Sequence, residues 1–342
     1  MGAIVCFGEV MLRLSPPGYL RLSQTDTLNM TFGGAEANVS VSLANYGMEA
    51  RYVTRLPDNP ITDAFLQQMR GFGVNVSYIA KGGDRMGVYF VEKGASMRPS
   101  KVIYDRKYSS IAAAKPGDID WDRVFDGAVW FHWTGITPAL SDSAAALTLE
   151  ACKAAKAKGI TISCDLNYRK KLWSREKAKE VMSELVKYVD VMIANEEDSK
   201  DVFGIEAEGT DIETGKLSEA GYRDLARKLA SAFGAKKVAF TLRESFSAND
   251  NNWSALLYDA ATDTAIRSRQ YAIRIVDRVG GGDSFGGGLI YSMLNGASDE
   301  EAINFAAAAS ALKHTIEGDF NRVSVEEVRA LMGGSASGRV QR

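Results

Sequence analysis

Short apolar runs alternate along this chain with stretches whose apolar positions recur every three to four residues, the joint signature of strands and amphipathic helices. Ala3 to Gly8 reads as a buried strand, and Glu9 to Ser15 follows with the two-residue alternation of a half-exposed one. Pro16-Pro17-Gly18 breaks the pattern, and Thr25 to Phe32 returns as a short strand before Gly33-Gly34. Ala35 to Tyr46 is helical, with Gly47 as its stop. Arg51 to Leu56, Ile61 to Gly73 and Val76 to Ile79 read as strand, helix and strand. The rhythm then changes: Gly87 to Glu92 and Val102 to Arg106 are two strands joined by a polar loop, with no helix between them.

Regular alternation resumes with strands at Ala128 to Trp133, Ile160 to Asp165, Val189 to Ala194 and Lys237 to Leu242. Helices at Ser141 to Lys158, Ser174 to Tyr188, Glu196 to Phe203 and Tyr222 to Phe233 separate them. Trp253 to Tyr258 and Ala265 to Gln270 read as an antiparallel addition. Helices follow from Leu289 to Asn295, Glu300 to His314 and Val325 to Met332. This order predicts an α/β fold with a mostly parallel central sheet covered by helices, and ligands at the C-terminal strand ends. The β excursions, about 10–32 and 86–108, predict a small lid sheet on a single domain spanning 1–332. Residues 333–342 are rich in Gly, Ser and Arg and read as a disordered tail.

Composition narrows the partners. With 41 basic and 43 acidic residues the net charge is -2, so nothing in the global charge draws the chain to nucleic acid or to an anionic membrane. Cys6, Cys152 and Cys164 are scattered in apolar or helical contexts, which argues against a disulfide frame or a zinc site. The first residues run straight into a strand, with no signal-peptide pattern, and no stretch is apolar enough to span a bilayer. A cytoplasmic location is expected.

The chemistry concentrates in Asp277-Arg-Val-Gly280-Gly281-Gly282-Asp283-Ser-Phe-Gly286-Gly-Gly288. Glycines 280 to 282 permit positive φ and close backbone approach, and a helix is expected to begin just after Asp283. Backbone amides at a helix N-terminus favour phosphate-like charge. A carboxylate beside them can take the proton from a hydroxyl that attacks a phosphoryl group. The alternative is a Gly-rich helix entry with an N-capping Asp. A Walker A loop is absent, because Gly215-Lys216 is followed by Leu217 and lacks the earlier glycine. Phe285 stands where a dinucleotide fingerprint needs its third glycine, which disfavours a nicotinamide enzyme.

Gly33-Gly34-Ala35-Glu36-Ala37-Asn38, Asn195-Glu196-Glu197-Asp198 and the Asp277 to Phe285 stretch, in this order and spacing, resemble the ribokinase-like, or PfkB, carbohydrate kinases. The resemblance covers residues 3 to 332 and implies the three-layer ribokinase-like fold with a β lid. Within that family, the stretches His132 to Ser141 and Asp165 to Arg169 look like those of 2-keto-3-deoxygluconate kinases. The resemblance implies transfer of the ATP γ-phosphoryl group to a terminal sugar hydroxyl, with magnesium. It implies Asp283 as the base and Gly280, Gly281 and Gly282 as the anion hole. Gly34 and Asn38 would hold sugar hydroxyls, Tyr89 and Tyr104 would cover the sugar, and Asp319 would lie in a substrate-side turn. Arg106 and Arg169 are the natural partners of a sugar carboxylate, since guanidinium matches carboxylate geometry. On the nucleotide side stand Asn195, Thr241, Arg243 and Asn304, with Asp198 organising magnesium through water.

Two stretches depart from the family pattern: Asp198 is one methylene shorter than the usual Glu, and Arg243 and Phe246 replace two glycines beside the phosphates. His132 sits in so apolar a run that a satisfied strand residue is expected rather than a catalyst. The rivals are a fructokinase or other neutral-sugar kinase and, from another class, a non-catalytic sugar-binding regulator. A monovalent cation near Asp277, as in some relatives, and a homodimer through the lid are left open.

Overall fold

The structure, a computed structural model, describes residues 2–206 and 218–334. Its centre is a nine-stranded sheet, in which six strands run parallel in the order Ala50–Val53, Ala3–Phe7, Ala128–Thr134, Thr161–Asp165, Val191–Ala194 and Lys237–Ser245. Asp250–Asp259 continues the sheet antiparallel and carries Thr264–Arg267 on one half and Tyr271–Arg274 on the other. Ala3–Phe7 is apolar at every position because helices cover both faces of a parallel sheet. Its alternation shows this directly: Val5 and Phe7 enter the core on one face, Ile4 and Cys6 the core on the other. All three cysteines are buried as free thiols. No helix among the described residues is long and apolar enough to cross a membrane.

Helix starts follow local chemistry. Ser141, Ser174, Ser298 and Ser324 each cap a helix by accepting an amide hydrogen bond, and Asn59 does so before Pro60. The second sheet has the order Asn29–Gly33, Met11–Ser15, Gly87–Glu92 and Lys101–Asp105 and forms the small lid.

Several boundaries differ from expectation. Val76 to Ile79 is not a strand; the pairing lies at Arg55–Leu56 with Ala80–Lys81, after Thr54 interrupts the run from Arg51. Tyr271–Arg274 is a strand that its four residues were too short to announce, while Ala265 to Gln270 shrinks to Thr264–Arg267. The late helix spans Gly281–Leu294, so Asp283 lies inside its first turn rather than before it. The expected tail lies outside the described residues beyond Gly334. Met11–Ser15 is buried on both faces: its polar position, Arg13, points into a buried ion cluster instead of solvent.

Candidate active site

The parallel strands deliver their C-terminal ends to one cleft of about 350 Å³, roofed by the lid. Its lining brings together Gly34, Asn38, Tyr89, Tyr104, Arg106, Arg169, Asn195, Asp198, Thr241, Arg243, Gly280, Gly282, Asp283 and Asp319. Two expected residues are not in that lining. Gly281 turns away: a Cβ there would stand 2.3 Å from the His314 ring. Asn304 lies elsewhere on its helix, its amide oxygen accepting from the Arg269 N–H at 2.9 Å.

Gly280 precedes the helix at φ 84, a left-handed conformation, and a Cβ there would lie 2.1 Å from the Asp319 carbonyl oxygen. Glycine is required on both counts. The Gly281 amide turns back to the Arg278 carbonyl, whereas the amides of Gly282 and Asp283 have no acceptor among the described residues. No side chain caps this helix. The result is a pair of open donors at the positive end of a helix dipole. Asp283, in the first turn, accepts from Asn38 Nδ2 at 2.7 Å. Burial pushes its carboxyl up to about 6, with the Asn38 hydrogen bond opposing and the Asp319 charge adding to the rise.

The opposite floor is built by close approach. A Cβ on Gly34 would stand 2.1 Å from the Glu9 carbonyl oxygen, and one on Gly33 would strike the Asp319 carboxylate. Glu36, fully buried, accepts from the Thr134 amide and hydroxyl at 2.9 Å and from Thr137 at 3.1 Å. Burial holds its carboxyl up at about 7 despite those bonds.

The lid is fastened by charge. Arg13 Nη1 meets Asp319 at 2.6 Å and Nη2 meets Asp277 at 2.5 Å, while the Tyr89 hydroxyl donates to the other Asp319 oxygen at 2.5 Å. Asp319 therefore has both oxygens engaged by protein. Tyr104 stacks on Tyr89 with ring centroids 6.0 Å apart. Arg106 lies over Tyr104 at 5.1 Å and gives Nε and Nη2 to Glu9, a partner that the sequence did not single out. Arg169 instead donates only to the Tyr168 carbonyl, at 3.2 Å, and has no ion pair among the described residues.

On the far side, Asn195 caps the helix Glu196–Phe203. Its Oδ1 accepts from Glu197 and Asp198 at 2.9 Å, and Asp198 Oδ2 returns a bond to the Asn195 amide at 3.2 Å. Asp198 Oδ1 accepts from the Tyr168 amide, and burial raises the carboxyl to about 6. Asp165, beside it, is raised well above the carboxylate range by burial and by the charges of Asp198 and Asp283. Arg243 stacks over Trp253 at 5.0 Å. Glu9, Asp165, Trp253 and Arg278 also line this cleft. Arg278 stood inside the quoted motif and Asp165 inside the Asp165 to Arg169 stretch, so only Glu9 and Trp253 carried no sequence signal. His132 is buried, bonds Ser163 at 2.8 Å and is pushed down to about 3 by burial, which keeps it neutral.

Residues 1–323 match the family described as pfkB family carbohydrate kinase. The 2-dehydro-3-deoxygalactonokinase of Haloferax volcanii is 34% identical over 335 residues, 97% of this chain and 98% of that protein. The solved 2-dehydro-3-deoxygluconokinase of Thermotoga maritima superposes with a TM-score of 0.93 at 49% identity, covering 98% of this chain and 100% of that one. The fructokinase of Xylella fastidiosa with bound ATP shares the fold at a TM-score of 0.74 and 21% identity, over 97% of this chain and 98% of that one.

Proposed function

The chain belongs to the pfkB family of carbohydrate kinases, and from that premise we propose that it phosphorylates the terminal hydroxyl of an acid sugar, 2-keto-3-deoxygluconate, with Asp283 as the base. The observation that carries this reading is the Asp283 carboxylate at an uncapped helix N-terminus, beside two amides without an acceptor and in one cleft with an arginine without an ion pair among the described residues. The sugar O–H gives its proton to Asp283 as the oxygen bonds the γ-phosphorus. The bond from phosphorus to the bridging oxygen breaks, and ADP leaves. The Gly282 and Asp283 amides meet the charge on the transferring group. Asn38 holds the base toward the hydroxyl and, with Gly34 and the lid tyrosines, shapes the sugar site.

Arg169 is the stronger candidate for the sugar carboxylate, since the charge of Arg106 is already matched by Glu9. Thr241, Arg243 and Asn195 stand on the nucleotide side. Kinases of this family use ATP, and Asp198, which lines the cleft, is the residue that would face magnesium carried in by its phosphates, through water because both of its oxygens already accept backbone amides. When bound, magnesium would neutralise phosphate charge.

ADP formation across a sugar panel tests the proposal. Turnover with 2-keto-3-deoxygluconate or its galacto epimer, and not with fructose or ribose, is the expected result. Turnover confined to neutral sugars overturns the acid-sugar assignment, and no turnover with any sugar favours a binding role.

A further inference from the structure

Beneath the Gly280 turn lies a buried cluster that the phosphoryl-transfer steps leave unused. Lys313, the last residue of the helix Asp299–Lys313, is completely buried. Its Nζ donates to three main-chain carbonyls: Gly318 at 2.6 Å, Asp277 at 3.3 Å and Ile316 at 3.4 Å. Three acceptors around one nitrogen call for three N–H bonds, which only the ammonium has; burial lowers its pKa, and the charges of Asp277 and Asp319 oppose that fall. It makes no salt bridge to a carboxylate among the described residues; the nearby Asp277 and Asp319 side chains are taken by Arg13. Carbonyl oxygens gathered around a monovalent charge are how proteins strip and hold potassium, and an ammonium is a cation of similar size.

The three carbonyls come from two segments. Asp277 opens the turn that leads to Gly280, while Ile316 and Gly318 belong to the loop that ends at Asp319. Those segments touch where a side chain has no room: a Cβ on Gly280 would lie 3.2 Å from Lys313 Cε and 2.1 Å from the Asp319 carbonyl oxygen. Lys313 thus joins them directly under the amides that face the cleft. The site does not fit an added monovalent cation, because the lysine already occupies its carbonyls.

We propose that the Lys313 ammonium is a covalently tethered substitute for a monovalent cation, a positioning residue that clamps the Asp277–Gly280 turn to the 316–319 loop and sets the phosphate-facing amides without potassium or sodium. The role in turnover rests on the kinase reading above; the clamp itself does not.

The wild-type protein provides the first test. Sugar-dependent ADP formation in potassium, sodium or tetramethylammonium chloride at one ionic strength is expected to be flat, and potassium activation of about tenfold or more overturns the proposal. In Lys313→Ala, which opens the space but keeps the carbonyls, turnover should fall about 100-fold and potassium or ammonium chloride should restore most of it. Lys313→Met fills the space with an uncharged chain and should lose turnover without rescue. A folded Lys313→Ala that no monovalent ion restores overturns the idea. Thermal melting of the same variants needs no sugar. Potassium, but not tetramethylammonium, should raise the melting temperature of Lys313→Ala and leave the wild type unmoved. If no sugar is turned over at all, the kinase reading falls while the melting comparison still decides the clamp. If Lys313→Ala does not fold in either salt, the wild-type salt series decides it.

Discussion

Two helices aim their N-termini into the same cleft and finish them in opposite ways. The helix Glu196–Phe203 closes its own end: Asn195 takes two amides, and Asp198 bonds back to the Asn195 amide. The helix Gly281–Leu294 starts from a left-handed glycine with no side-chain cap, and its first-turn amides at Gly282 and Asp283 stay open. An open end costs helix stability, since unsatisfied donors and a run of glycines both work against it. The cost is offset by packing: Gly287 and Gly288 let the helix approach Ser42 and Ala306 closely, and a Cβ would come within 2.7 Å and 3.0 Å of them. The capped terminus brings the Asp198 carboxyl to the cleft; the uncapped one brings amides and the Asp283 carboxyl. On the proposed reading, acid for a metal and amides for a phosphate are complementary surfaces, and the contrast can be tested terminus by terminus.

The largest effect is expected at Asp283. Asp283→Asn keeps the shape and the Asn38 contact but cannot take a proton, so kcat should fall about 1000-fold or more while sugar and ATP binding persist by calorimetry. The carboxyl sits at about 6 in the folded protein, so kcat/KM in the wild type should decline as pH drops through about 6. Stability runs the other way. The raised folded value means that the carboxylate is destabilising above about pH 6 and costs nothing below the unfolded value of about 3.9. Asp283→Asn should therefore be more stable near neutrality, by about 3 kcal/mol at most, and the gain should vanish in acid. Equal melting temperatures at neutral and acid pH would show that the base is not held at a cost.

Next in size is the separation of the two arginines. Arg169→Met should weaken an acid sugar about 100-fold and a neutral one little, because it removes from the cleft a guanidinium that makes no salt bridge among the described residues. Arg106→Met strands the buried Glu9 carboxylate, so it should lower stability and both sugar affinities together. Competition binding with an acid and a neutral sugar reads the difference; the opposite ranking would move the carboxylate contact to Arg106.

These distinctions also mark what the sequence could and could not tell. Strand and helix alternation, the lid excursions and the Asp277 to Phe285 motif were legible because each rests on local patterning. Asp283 was expected before the helix rather than inside it, since glycine is a poor helix former and only tertiary contacts with Ser42 and Ala306 reveal why it is tolerated. Arg13 looked like the solvent side of a half-exposed strand because alternation reports polarity and not what the polar face meets. Glu9 gave no sign because its partner Arg106 is 97 residues away in sequence. Asn38, expected on the sugar, lines the cleft and also donates to Asp283, a contact over 245 residues that no spacing rule encodes.

A smaller effect should separate two glycines of the same run. Around Gly282 a Cβ would meet nothing within 4 Å, and the residue lines the cleft. Gly282→Ala should stabilise the helix by about 1 kcal/mol yet cut turnover about tenfold, because the methyl intrudes on the phosphate side. Gly280→Ala should do the reverse in stability, costing about 1–3 kcal/mol from its backbone conformation alone. Melting and turnover measured on both variants check the pair.

The smallest effect is at the capped terminus. Asn195→Ala removes the acceptor for two amides and should cost about 1 kcal/mol in thermal melting, with the Asp198 bond to the residue 195 amide left in place. Any change in the KM for ATP then mixes a loosened helix with a lost contact. Asn195→Asp separates them. Aspartate caps as well as asparagine and favours the helix dipole, so stability should hold, but the Nδ2 donor is gone. A KM for ATP that rises equally in both variants places Asn195 Nδ2 on the nucleotide. A rise in Asn195→Ala alone makes the residue a cap and nothing more, which would complete the contrast between a helix end closed by its own side chains and one left open for phosphate.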